Sequence, residues 1–147
     1  MPATFDNLGI RFEYPENWSV EIQEDLSATS QVVVSSPHTA FWQLSIHPPG
    51  TELEPLFDEA LAALRSVYQD LDVEPTNEIL EGNLIEGYTV NFFSLDLTST
   101  CWIRGIESPE YNFLVISQAE DREFEQVHLV FEAMLASVLR NQQKIEQ

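Results

Sequence analysis

The chain has few basic side chains. Of its 147 residues, 6 are Lys or Arg and 25 are Asp or Glu, which gives a formal net charge of −19 at pH 7. Nucleic acid binding depends on Lys and Arg side chains that neutralise phosphates, and anionic membrane surfaces attract the same groups. We therefore expect neither nucleic acid nor a membrane as a partner. Two explanations of the acidity remain: a functional surface, or a bias of the proteome toward soluble acidic proteins.

Cysteine, glycine and long apolar runs are also scarce. Cys101 is the single cysteine, so an internal disulfide framework and a zinc site of paired cysteines are excluded. The five glycines form neither G-x-G-x-x-G nor G-K-[ST], the loops that cradle phosphates. Residues 1–6 lack the basic and apolar segments of a signal peptide, and no stretch has the length of a membrane-spanning helix. We expect a cytoplasmic protein without a cofactor.

The side chains that bind metals or act as nucleophiles are few and scattered. His38 and His47 are separated by an odd number of positions around a predicted strand, which places them on opposite faces, and His128 lies in the last predicted helix. Cys101 lies within a predicted strand, where a free cysteine usually behaves as a small apolar residue. We predict no metal site and no enzymatic activity. A hydrolase that uses a carboxylate pair is a weaker alternative, because so many acidic residues bring some pair together by chance.

Hydrophobic periodicity predicts two groups of strands, each followed by a helix. Apolar and polar residues alternate over 10–14, 18–22 and 42–46, and a continuous apolar run covers 32–34. Strand-like runs return at about 73–80, 84–93, 98–106 and 111–117. Between the groups, apolar residues recur at steps of three and four from Leu53 to Leu71. A second such stripe runs from Phe124 to Val138, with Asp121 as its predicted N-cap.

These elements predict an α+β fold in the order ββββαββββα. Short connections between strands indicate hairpins, so the sheet should be antiparallel. Each helix has one apolar stripe and must therefore pack on that sheet. The length fits one ordinary domain spanning residues 1–147, and no change of composition marks a linker.

The opening segment resembles the PsbP/Mog-like superfamily. Residues 9–20, GIRFEYPENWSV, match the pattern G-x-x-F-x-Y-P-x-x-W-x-V of these proteins, and residues 131–137, FEAMLAS, resemble their last helix more weakly. Members include the PsbP subunit of photosystem II, Ran-binding Mog proteins, DcrB-type lipoproteins and Eag-type chaperones. The resemblance implies a Pro-Trp turn that leads into an antiparallel sheet flanked by helices, and a mostly non-enzymatic function. It also implies a structural role for Trp18, which lies in the turn.

Aromatic residues of the predicted strands are the candidate contacts with another protein. In a sheet covered on one face only, one member of each adjacent aromatic pair faces outward. The possible protein-contact residues are Phe41, Trp42, Phe93 and Trp102. An alternative of equal weight is that both faces of the sheet are covered, or that Phe41 and Phe93 lie at strand ends, so that these aromatic residues do not form a contact surface.

The leading functional hypothesis is a non-enzymatic protein-interaction module: an adaptor, chaperone or subunit. Exposed aromatic side chains surrounded by carboxylates suit a partner protein with a basic or partly apolar segment. The alternative is a carrier of a small apolar ligand in a pocket between sheet and helix. The oligomeric state is not predicted by any of these patterns.

Overall fold

A computed structural model describes residues 2–24 and 30–145. The elements in chain order are β1 (Pro2–Asn7), β2 (Ile10–Pro15), β3 (Ser19–Glu24), β4 (Ser30–Ser35), β5 (Phe41–His47), α1 (Leu53–Val67), β6 (Leu71–Leu80), β7 (Asn83–Ser94), β8 (Leu97–Glu107), β9 (Asn112–Glu120) and α2 (Asp121–Ile145). The predicted α+β class, with antiparallel strands and two helices, is confirmed. The predicted order lacked one strand, β1, in which Phe5 is the one buried residue and alternation is therefore weak.

The strands form two sheets. β1 and β2 make a separate two-stranded ribbon, and the other seven strands make one sheet in the order β3-β4-β5-β9-β8-β7-β6. All neighbouring strands are antiparallel, and most are joined by short hairpins. The central contact between β5 and β9 instead joins the two halves of the chain, across α1 and three strands. Since the ribbon is separate, the prediction of a single sheet is corrected here.

The larger core lies between the seven-stranded sheet, the ribbon and α2. We call this side of the sheet the α2 face. Trp42, Phe113, Phe12 and Phe131 come from β5, β9, the ribbon and α2, and each is at most 2% exposed. The ribbon therefore lies on the same face of the sheet as α2 and covers the part of that face next to the helix.

The second core lies on the opposite side, which we call the α1 face. Leu53, Phe57 and Leu61 of α1 are buried against a floor that includes Ile103 and Leu114. Both faces of the sheet are therefore covered in part. The sequence left two possibilities, a sheet covered on one face only and a sheet covered on both faces. The structure has a layer on each face.

Candidate interaction surfaces

The predicted contact residue Trp42 is not available to a partner. Its side chain is 0% exposed, and its ring lies 5.0 Å from the ring of Phe12 in the ribbon. The prediction fails here because the ribbon, which the sequence pattern did not separate from the main sheet, covers this strand. Trp18 is also buried and packs edge-on against Phe131, with ring centroids 6.1 Å apart.

The other three predicted residues lie in different environments. Trp102 is half-buried beneath α2, with its ring 4.9 Å from Phe124 and 6.2 Å from His128. Phe41 is half-buried at the start of β5, on the α1 face. Phe93 is 72% exposed, one residue before the end of β7. The four candidates therefore do not form one site.

Part of the α2 face, over β6 and β7, is left open and is strongly acidic. Helix α2 packs on β8 and β9, so that the outer strands of the sheet extend beyond it. One side of the open area carries Asp72, Glu74 and Glu78, exposed residues of β6. Because side chains alternate along a strand and Glu78 contacts Arg104 on the α2 face, these three even-numbered residues share that face.

Helix α2 forms the opposite side of this area. Asp121, Glu125, His128 and Glu132 follow one another at steps of four, three and four, which places them along one helix stripe. The Asp121 carboxylate accepts a hydrogen bond of 2.6 Å from the hydroxyl of Thr100, so this stripe faces β8. We call the area between the two rows the acidic trough; its floor contains Thr89, Asn91, Thr100 and Trp102.

Arg104, at one end of the floor, is largely occupied by local partners. Its Nη1 donates to the carbonyl oxygens of Tyr88 at 2.7 Å and Ile103 at 3.1 Å, and Nε lies 3.6 Å from a Glu78 oxygen. Burial lowers the pKa of Arg104, although Glu78 acts in the opposite direction. The side chain is 9% exposed and interacts with Glu78 and Glu132, so the trough's other carboxylates are left without a cation from this residue.

The hairpin between β7 and β8 ends in exposed apolar side chains beside the trough. Phe93, Leu95 and Leu97 are 72%, 94% and 41% exposed, and we call this group the apolar tip. Leu95 and Asp96 have φ angles of 52° and 66°, a left-handed conformation that favours Asn and Gly in two-residue hairpin turns. Neither packing nor backbone preference accounts for a leucine at position 95.

Groups that could support catalysis are separate or inactive. Burial raises the pKa of the Cys101 thiol to about 12, with a smaller opposing effect of Arg104, so the thiolate nucleophile is not formed at neutral pH. His38 precedes β5 and His47 is its last residue, so the two lie at opposite ends of the strand, and His128 stacks on Phe124. In residues 2–24 and 30–145, no group of three His, Cys, Asp or Glu side chains is arranged to hold a metal ion. Neither helix, within the same described ranges, is long and apolar enough to cross a membrane.

Three solved structures share this architecture at low sequence identity. Cyanobacterial PsbP (CyanoP) from Synechocystis aligns with a TM-score of 0.63 and 14% identity, over 92% of this chain and 90% of that chain. The Ran-binding protein Mog1p from Saccharomyces cerevisiae aligns with a TM-score of 0.58 and 11% identity, over 96% and 94%. A Pseudomonas aeruginosa protein of unknown function has a TM-score of 0.51 and 9% identity, over 92% and 94%.

The chain therefore has the PsbP/Mog-like fold that its opening segment implied. No family model matches the sequence, and the comparison with curated proteins finds no match. At these identities the likeness concerns the fold alone.

Proposed function

We propose that this protein is a non-enzymatic protein-interaction module that binds a basic, partly apolar segment of another protein. The observation that carries the proposal is the acidic trough, which continues into the apolar tip at the end of the β7–β8 hairpin. Carboxylates on both sides suit Lys and Arg side chains, and the tip offers apolar area to the same segment. A cytoplasmic location and a single-domain organisation remain predictions that accompany this proposal.

Electrostatics and apolar burial have different roles in such a complex. An exposed ion pair contributes roughly 0.2–1 kcal/mol, so no single carboxylate of the trough is decisive. Complementary charge mainly accelerates association and selects the partner. Burial of apolar area contributes about 25 cal/mol per Å², so Phe93 and Leu95 supply an affinity that salt does not screen.

Two further observations support a binding role over an enzymatic one. The Cys101 thiol is buried and protonated, and the described residues contain no group of three His, Cys, Asp or Glu side chains that could hold a metal ion. Mog1p, which has the same fold, is a Ran-binding protein. That likeness favours protein binding in general and does not identify the partner of this chain.

Fluorescence anisotropy with two labelled peptides tests the proposal. One peptide alternates Lys and Leu, and its control alternates Glu and Leu. We expect the Lys–Leu peptide, and not the Glu–Leu peptide, to bind at low salt. The binding should weaken as the salt concentration is raised.

Two triple variants of equal charge locate the site. Asp72→Asn, Glu74→Gln and Glu125→Gln together remove three of the trough's carboxylates, whereas Glu21→Gln, Glu107→Gln and Glu110→Gln remove the same charge from other exposed positions. The trough variant should bind the peptide about tenfold more weakly, if each lost pair contributes about 0.5 kcal/mol. An equal loss in both variants would indicate general attraction to an acidic protein and contradict the proposal.

A further inference from the structure

A continuous trench lies on the other side of the sheet, between α1 and β5. It consists of two adjoining cavities of about 330 and 390 Å³, which share Gln43, Ala60, Ala63 and Ile116 as lining residues. Helix α1 forms one wall, and β5 and β9 form the floor. We call it the α1 trench. It exists because α1 packs over β8 and β9 and leaves the β5 side of the face uncovered.

The two ends of the α1 trench differ in chemistry. The 390 Å³ end is lined mainly by apolar side chains, including Phe41, Leu64 and Val67. The 330 Å³ end adds polar groups: the Gln31 amide, the Ser45 hydroxyl, the His47 imidazole and the Glu59 carboxylate. A ligand that fills the trench therefore needs an apolar part and a polar part at opposite ends.

The dimensions favour a linear apolar part. From Leu56 to Val67 the wall spans eleven helical steps, roughly 16 Å at the rise of an α-helix. Ala60 and Ala63 in the middle of this wall have small side chains, which leaves the two cavities connected. Volumes of this size are in the range of small-molecule sites, about 300–1,000 Å³.

The charge of the polar end restricts the head group. Burial lowers the pKa of His47, and the weaker effect of Glu59 in the opposite direction does not reverse this, so the imidazole is uncharged at neutral pH. The residues that line this end then provide hydrogen-bonding groups and one negative charge, with no cation to receive a carboxylate or phosphate. Repulsion by Glu59 disfavours an anionic head group further.

We propose that the α1 trench binds a single-chain amphiphile with an uncharged, hydroxyl-bearing head group. The alkyl chain lies along Ala60, Ala63 and Leu64 toward Val67, and the hydroxyl groups bond to the side-chain amides of Gln31 and Gln43. The site is on the sheet face opposite the acidic trough, so it does not depend on the function proposed above.

Monodecanoylglycerol and decanoate are probes with matched chains and different head groups. Binding to the 147-residue chain is measured by native mass spectrometry and by amide chemical shifts in ¹⁵N NMR spectra. We expect one monodecanoylglycerol per chain, shifts at Gln43 and Ile116, and binding of decanoate about tenfold weaker because of the charge on Glu59.

Two variants of the same helix provide the structural control. Ala60→Leu with Ala63→Leu fills the trench, whereas Ala62→Leu adds the same side chain at an exposed position that does not line it. Leucine is a good helix former, so α1 should be preserved in both. The double variant should bind monodecanoylglycerol about tenfold more weakly, and Ala62→Leu should bind it like the original protein.

Several results would overturn the proposal. These are no binding of monodecanoylglycerol, equal binding by the double variant, or decanoate that binds as tightly as the neutral probe. Shifts around Met134 and Tyr14 instead would indicate the separate cavity of about 500 Å³ between the ribbon and α2, and would also exclude the α1 trench. The shift map of the original protein decides the question even if the double variant does not fold.

Discussion

The Ser137 hydroxyl of α2 accepts a hydrogen bond of 3.0 Å from the backbone N–H of Glu13, a residue of β2 that is 124 positions away in the sequence. Asn141 donates to the carbonyl oxygen of Arg11 at 3.0 Å, and Gln142 donates to that of Gly9 at 3.3 Å. β2 pairs with β1 along one edge. Side chains of α2 form hydrogen bonds with backbone groups along its other edge. This arrangement explains how an isolated two-stranded ribbon is held over the core.

We predict that Ser137→Ala lowers the free energy of unfolding by about 1–2 kcal/mol. The substitution leaves the N–H of Glu13 without its acceptor in a part-buried position. Urea denaturation measures the change. Ser66→Ala is the control, because the Ser66 hydroxyl bonds to Ala63 within its own helix and is exposed. Equal effects of the two substitutions would show that the ribbon does not depend on Ser137.

We predict that Trp18→Ala lowers the free energy of unfolding by about 3–5 kcal/mol. Trp18 is 8% exposed and packs against Phe131, so its removal leaves a cavity under the turn that leads into β3. The same denaturation experiment tests this, with Leu129→Ala at an exposed position of α2 as control. A loss below about 1 kcal/mol would mean that the turn closes over the cavity at little cost.

Much of this fold could be predicted from sequence periodicity because most strands have an apolar pattern of their own. The predicted run 84–93, for example, lies within β7. Asp121, predicted as the N-cap of α2, is instead its first residue. The Asp121 side chain bonds to Thr100 of β8, a partner that no local pattern identifies. Helix α1 ends at Val67, earlier than the apolar stripe, because Tyr68 is extended and stacks on Phe92.

The contact surface was harder to predict because exposure depends on distant segments. Alternation places Phe41 and Trp42 on opposite faces of β5 but does not show that Phe12 covers Trp42. The apolar tip did have a local signal: Leu95 occupies the two-residue connection between β7 and β8, where Gly, Asn, Asp and Ser are usual. The α1 trench had none, since it depends on the position of α1 across the sheet.

We predict that Glu123→Gln makes the protein less sensitive to acid. Burial alone raises the pKa of Glu123, but hydrogen bonds from the Ser36 hydroxyl at 2.6 Å and from Thr39 at 2.6 and 2.7 Å outweigh it, and the pKa lies below the ordinary 4.5. A lowered pKa stabilises the folded state above pH 4.5, and this contribution is lost as the pH falls through the folded-state value.

Thermal midpoints at a series of pH values from neutral to acid measure this contribution. The original protein should be more stable than Glu123→Gln near neutral pH, and the difference should shrink below pH 4.5. Glu125→Gln, at an exposed position two residues further along α2, removes the same charge without these hydrogen bonds and is the control. A difference that is constant with pH would exclude ionisation of Glu123 as its cause.

We predict that Leu95→Asn stabilises the fold and weakens binding of the Lys–Leu peptide. Asn tolerates the left-handed conformation that Leu95 adopts at φ 52°, which removes a strain of up to about 1 kcal/mol. The substitution also removes the most exposed apolar side chain of the tip, at 94%. Urea denaturation and peptide anisotropy on the same preparation measure the two effects.

Leu129→Asn, at an exposed position of α2, should lower stability through helix propensity and leave peptide binding unchanged. Stabilisation with unaltered peptide affinity would show that Leu95 is strained without taking part in binding, and would remove the apolar tip from the proposed interface.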